Sequence, residues 1–174
     1  TSRDKSLIEI KSIKFTEQWR NFIDLGYQKW KESYKFHKEK GNNKAILFIM
    51  TDNTKNCDEV ARFLENNYQD LKNRVLTIHT KNNGDLFEKT SDLKSSKSKE
   101  ELKKLRLNAN TIDNIDNKYN AVVSVLVLKE GWDVNNVTTI VGLRPFEKPK
   151  ILPEQTLGRG LRKMYRDQNL IEKL

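Results

Sequence analysis

From Thr16 onward, Trp19, Phe22, Ile23, Tyr27, Trp30 and Tyr34 recur three and four residues apart. That spacing lines one face of a helix and predicts a long amphipathic helix ending near Gly41. Such a stripe ordinarily packs into a core, with a base-stacking platform as its rival use. Four short apolar runs follow: Ala45 to Met50, Arg74 to Thr80, Ala121 to Leu128 and Val137 to Leu143. Runs of this length and evenness suit strands buried on both faces of a parallel sheet. Between the first two, Cys57, Val60, Ala61, Leu64 and Tyr68 share one helical face, giving a strand-helix-strand unit. The expected class is therefore α/β, a single domain with a mostly parallel central sheet flanked by helices.

The remaining stretches punctuate this pattern. Leu7 to Phe15 reads as an extended segment with a break near Ser12, so residues 1–15 are expected to form a leading segment or linker and residues 16–174 the domain. Residues 81–101 are polar and rich in Ser and Lys, and are expected to be a mobile insertion ahead of a helix carrying Leu102 and Leu105. All three prolines fall in PFEKPKILP, Pro145 to Pro153, a stiff extended connection to the last helical stretch. The chain begins at Thr1 rather than a methionine, which suggests a piece of a longer protein.

Charge adds a partner class. With 33 Lys and Arg against 24 Asp and Glu, the net charge of +9 favours a polyanion such as nucleic acid, although a solvated lysine-rich surface has the same composition. Cys57 is the only cysteine, which excludes an internal disulfide and suits a reducing, cytoplasmic compartment. With only His37 and His79 beside it, the sequence offers no metal-ligand cluster. No apolar run reaches the roughly 20 residues that span a membrane, so no membrane partner is expected.

Two stretches carry candidate chemistry. In QTLGRGLR, Gln155 to Arg162, two glycines interrupt an otherwise helical pattern, each at about 1 kcal/mol relative to alanine. Gln155, Gly158, Arg159 and Arg162 share one helix face, where a bare Gly158 admits a ligand and two guanidinium forks suit phosphate oxygens. The alternative is a solvated basic face. In LKEGWDV, Leu128 to Val134, Gly131 and Asp133 follow directly on an apolar run. The carboxyl end of a buried parallel strand is where open α/β sheets bind ligands, and Asp133 suits a sugar hydroxyl. As a plain turn, the same residues would cap and pack.

Together, QTLGRGLR and VSVLVLKEGWDVNNV resemble the paired motifs of the second RecA-like domain of superfamily 2 helicases and translocases, the first fitting the pattern Q-x-x-G-R-x-x-R at every fixed position. FIMTDNTKNCDEVARFL is similar to the strand, loop and helix that open that domain. Within the superfamily, LKEGWDVNNVTTIVGLRPF followed by ILPEQTLGRGLR most resembles the restriction subunit of type III restriction enzymes. The resemblance implies a RecA-like domain whose Arg162, as arginine finger, and Arg159 meet nucleotide phosphates across a cleft from the preceding RecA-like domain of the same polypeptide. It also implies that Gln155 arranges the cleft, that Gly131 and Asp133 meet the ribose, and that DNA runs near Thr51, Asn53, Thr80 and the segment from Ser124 to Lys129. Thr51 and Asn53 serve equally well as helix caps.

No glycine begins a G-x-x-x-x-G-K-[ST] phosphate loop. DEVA, Asp58 to Ala61, imitates a magnesium-binding motif, but its neighbours have helical spacing and it reads as helix surface. The Mg²⁺ that accompanies ATP would therefore take its ligands from a domain outside this chain. The expected activity is ATP hydrolysis coupled to DNA translocation in the full protein, with a modification methyltransferase subunit as a further partner and the isolated chain inactive. Two rivals stay open: a motor domain of a DNA-repair or general superfamily 2 helicase, and a nucleic-acid-binding α/β module without a motor.

Overall fold

The computed structural model of the chain describes residues 14–41, 43–78, 96–125, 134 and 136–143. In chain order the elements are helices α1 (Phe15–Gln18) and α2 (Arg20–Gly41), strand β1 (Ile46–Thr51), helix α3 (Thr54–Asn67), a 3₁₀ turn (Gln69–Leu71), strand β2 (Val75–Ile78), helix α4 (Ser96–Asn110), and strands β3 (Ala121–Ser124) and β4 (Val137–Leu143). The strands form one sheet in the order β2-β3-β1-β4. Every pairing is parallel, with Leu47 opposite Ala121, Val75 opposite Ala121, and Phe48 opposite Ile140. The chain is thus an α/β protein with an all-parallel sheet between helices, an arrangement consistent with a RecA-like domain.

Alternation along the strands feeds two separate cores. Leu47 and Ile49 pack with Ile23 and Trp30 of α2 and with Cys57, Val60 and Leu64 of α3. Ile46, Phe48 and Met50 turn to the other face and pack with Ala109 of α4, Ile112 and Val134. The connection from β1 to β2 carries α3 on the first face and steps over the place later filled by β3. The return from β2 to β3 runs the opposite way and carries α4 on the second face. Two parallel crossovers of one hand require that inversion.

The expected helix from Thr16 to Gly41 is broken at Trp19, where φ −103° and ψ 10° end α1 and α2 begins one residue later. A contact from far along the chain accompanies the break: Glu59 Oε1 on α3 accepts hydrogen bonds from Thr16 N–H at 2.9 Å and Thr16 Oγ1 at 2.8 Å. This carboxylate caps the first turn of α1, a role that a residue just before the helix usually fills. Farther along, Gly26 lets α2 lie directly on β4, since a Cβ there would run into Val141 Cγ2. Trp30, fully buried, donates its Nε1–H to Ala45 O at 2.9 Å and fixes the middle of α2 over the start of β1.

Three further boundaries differ from the sequence pattern. The helix expected around Leu102 and Leu105 begins at Ser96, inside the stretch read as an insertion. Residues 81–95 of that stretch lie outside the described residues. β4 spans Val137–Leu143 as expected, but its middle residues are only half-buried, because it is the last described strand on its side of the sheet. Its register against β1 shifts between Ile46 and Leu47, leaving Thr138 as an extra residue.

Candidate functional site

All four strands run the same way, so β1 ends at Thr51, β2 at Ile78 and β3 at Ser124 on one edge of the sheet. This carboxyl edge is where open parallel sheets bind ligands, and three of the sequence-derived residues meet there. Thr51 and Ser124 end neighbouring strands and are both buried. Thr51 Oγ1 lies 3.5 Å from Ser124 O and 3.3 Å from Asn53 O, so its hydroxyl is turned onto the backbone of the turn. Asn53 is the cap of α3, its Oδ1 accepting Asn56 N–H at 2.8 Å. Of the two residues for which capping competed with nucleic-acid contact, Asn53 therefore caps and Thr51 does not.

Among the described residues, the exposed rim of this edge is formed by the turn from Asp52 into α3. Asp52 Oδ1 accepts the side-chain amide of Asn56 at 2.6 Å and that of Asn53 at 3.1 Å, which holds the three residues as one cluster. Beneath it, Cys57 donates its thiol to Val123 O at 3.3 Å. Burial pushes this thiol up to about 12, with a hydrogen bond to Thr51 opposing the rise. A thiol so placed is an inert part of the floor at neutral pH. The described rim thus presents the Asp52 carboxylate with the Asn53 and Asn56 amides, while the Thr51 and Ser124 hydroxyls are buried below it. Amides suit contacts to a sugar-phosphate backbone, which carry no sequence information, whereas the carboxylate repels phosphate.

The other sequence-derived residues, Thr80, Lys129, Gly131, Asp133, Gln155, Gly158, Arg159 and Arg162, lie outside the described residues. The chain leaves β2 two residues before Thr80 and leaves β3 five residues before Lys129. DEVA lies on α3, as its spacing indicated: Val60 and Ala61 are buried in the core, Glu59 caps α1, and Asp58 borders a groove of about 340 Å³ between α3 and β2. Among the described residues no group of three or more His, Cys, Asp or Glu side chains is placed to hold a metal ion.

The opposite edge holds a residue the sequence reading passed over. Lys44, 6% exposed, donates its ammonium to Asn117 O at 2.6 Å and Asn114 O at 3.3 Å, pinning the turn after α4 to the start of β1. Burial pulls its pKa from 10.5 down to about 8, with Asp113 opposing the fall and Arg74 adding to it. In sequence it is one lysine among many, and only its position just before an apolar run set it apart. A groove of about 420 Å³ between α2 and β4 is bordered by Ser33, Phe36, His37 and Thr138. Thr138 Oγ1 is buried there with no hydrogen-bond partner among the described residues. This groove borders the first half of β4, away from Thr51 and Ser124.

Comparison with protein-family models, curated proteins and solved structures finds no match. No helix among the described residues is long and apolar enough to cross a membrane.

Proposed function

We propose that this chain is the second motor domain of an ATP-dependent DNA translocase, of the kind found in the restriction subunit of type III restriction enzymes. The observation that carries the reading is the joining of sequence to topology. Thr51, Asn53 and Ser124 gather on the carboxyl edge of adjacent parallel strands. LKEGWDV follows β3 in the chain as it leaves that edge. QTLGRGLR then supplies two arginines and an amide at helical spacing.

The residues that would hold the nucleotide suit it chemically. Arg159 and Arg162 offer planar forks for phosphate oxygens, Gln155 an amide, and Asp133 beside Gly131 a carboxylate for a ribose hydroxyl. ATP with Mg²⁺ supplies the phosphoanhydride bond whose hydrolysis drives movement. Arg162 stabilises negative charge on the transferred group, Arg159 and Gln155 orient the phosphates, and Gly158 leaves room for their approach. Thr80 and Lys129 lie along the DNA path with Asn53, touching backbone rather than bases, and the buried Ser124 supports the edge beneath them. The preceding domain of the same polypeptide contributes the phosphate loop and the metal ligands, and a methyltransferase subunit completes a restriction assembly in the cytoplasm.

The test is DNA-stimulated ATP turnover by the full-length protein carrying Arg162→Ala. An arginine finger is worth ~10³ to 10⁵ in rate, so turnover should collapse while nucleotide affinity and melting temperature change little. Near-normal turnover in a well-folded variant would refute the assignment. A repair helicase is the second reading, favoured by the similar L-x-E-G-x-D turn of nucleotide-excision-repair helicases. A nuclease activity that depends on translocation separates the two.

A further inference from the structure

We propose that Tyr27 and Tyr68 form a site of oxidative cross-linking, where a dityrosine bond ties α2 to the connector between α3 and β2. The two residues make a reciprocal clasp. Tyr27 on α2 donates its hydroxyl to Asp70 Oδ2 in the connector at 2.5 Å. Tyr68, just after α3, donates its hydroxyl back to Asp24 Oδ1 on α2. The rings between these bonds are stacked, with centroids 3.9 Å apart and planes 15° from parallel. Around them, Trp30 and Tyr34 are 5.2 Å apart and tilted at 38°, and Phe63 meets Tyr68 edge-on at 6.1 Å.

This geometry provides what radical coupling of phenols needs. A phenol gives up an electron readily only if its proton leaves at the same time, and each hydroxyl here already points at a carboxylate. Burial and that carboxylate raise the pKa of both phenols, so both carry the proton at neutral pH. The hydrogen bond from Tyr27 and Lys31 Nζ, 2.9 Å from Asp70 Oδ2, hold the Asp70 carboxyl below its usual pKa, and Arg20 Nε lies 3.7 Å from Asp24 Oδ2. Both tyrosines are half-buried, within reach of a small oxidant, whereas neighbouring Trp30 is fully buried.

In the reaction, two equivalents of a one-electron oxidant take one electron from each ring, and each phenol proton passes to its aspartate. The two phenoxyl radicals couple through ring carbons ortho to oxygen, forming one carbon–carbon bond. The hydrogen on each coupled carbon then moves to its oxygen and restores two phenols. The net change is loss of two electrons and two protons. A slide of the stacked rings brings the ortho carbons into line, and the product joins segments that are distant in the chain.

The experiment exposes the protein to photogenerated ruthenium(III) tris-bipyridyl, with persulfate as terminal electron acceptor, and then isolates the monomer. The expected result is blue biphenol fluorescence and a joined peptide containing Tyr27 and Tyr68, lighter by two hydrogens. Tyr68→Phe should lose the product and Tyr34→Phe should keep it. Asp70→Asn leaves both rings but removes one proton acceptor, so it should slow coupling while the circular dichroism stays native. Absence of the joined peptide from the folded monomer, or an equal yield from the chain unfolded in urea, would overturn the proposal.

Discussion

Replacing Lys44 with methionine should change how stability depends on pH. In the folded chain the ammonium is buried against Asn114 O and Asn117 O and titrates at about 8, whereas its ordinary value is 10.5. Between those values the unfolded chain holds a proton that the folded chain has released, so raising the pH favours folding. The penalty of burying the charge is fully present below pH 8 and fully relieved above 10.5. The gap of 2.5 (10.5 minus 8) corresponds, at about 1.4 kcal/mol each, to roughly 3 kcal/mol. About 2 kcal/mol of this should appear between about pH 7 and about pH 9.5.

Cys57 acts in the opposite direction over part of this range. Its thiol ordinarily titrates at 9.0 but is pushed up to about 12 in the fold, so raising the pH ionises the unfolded chain first. The raised phenols of Tyr27 and Tyr68 do the same from about pH 10. These contributions are common to wild type and Lys44→Met and cancel in their difference. Urea unfolding of both proteins at the two pH values is the assay. The stability of wild type relative to Lys44→Met should rise by about 2 kcal/mol across the range. A change below about 0.5 kcal/mol would show that Lys44 keeps an ordinary pKa and that the carbonyl pair does not hold a desolvated ammonium.

Three further outcomes are expected. Glu59→Ala should destabilise the protein by about 1–2 kcal/mol, because Thr16 N–H and Oγ1 lose a shared acceptor, while Glu59→Gln should lose less; urea midpoints compare the two. Gly26→Ala should lower the melting temperature, since overpacking against Val141 at about 1–3 kcal/mol outweighs the roughly 1 kcal/mol gain in helix propensity, and Val141→Ala in the same chain should restore it. DNA binding by the chain should be weak and insensitive to sequence, its log affinity falling with log salt by about 0.9 per phosphate contacted; titration at several salt concentrations measures this, and tight binding to one sequence with little salt response would favour a recognition module.

The hydrophobic pattern by itself determined the class of this protein. The apolar runs at Ile46–Thr51 and Ala121–Ser124 are strands because continuous burial leaves no polar face, and the stripe at Cys57, Val60, Ala61 and Leu64 is a helix because its period is helical. Asn53 was legible as one of two candidate caps, beside Thr51, because capping depends on neighbours in the chain. The sequence also marked Gln155, Arg159 and Arg162, through residue types and spacing that belong to one continuous stretch. What it could not determine depends on residues far apart in the chain. The order β2-β3-β1-β4, the burial of Thr51 against Ser124, the capping of Thr16 by Glu59, the carbonyl pair around Lys44 and the clasp between Tyr27 and Tyr68 all join segments separated by about forty residues or more. A local pattern records whether a side chain is apolar and how often that recurs. Which partner it meets is decided when the sheet closes and its two faces are covered, because only then do desolvation and distance act on a particular pair.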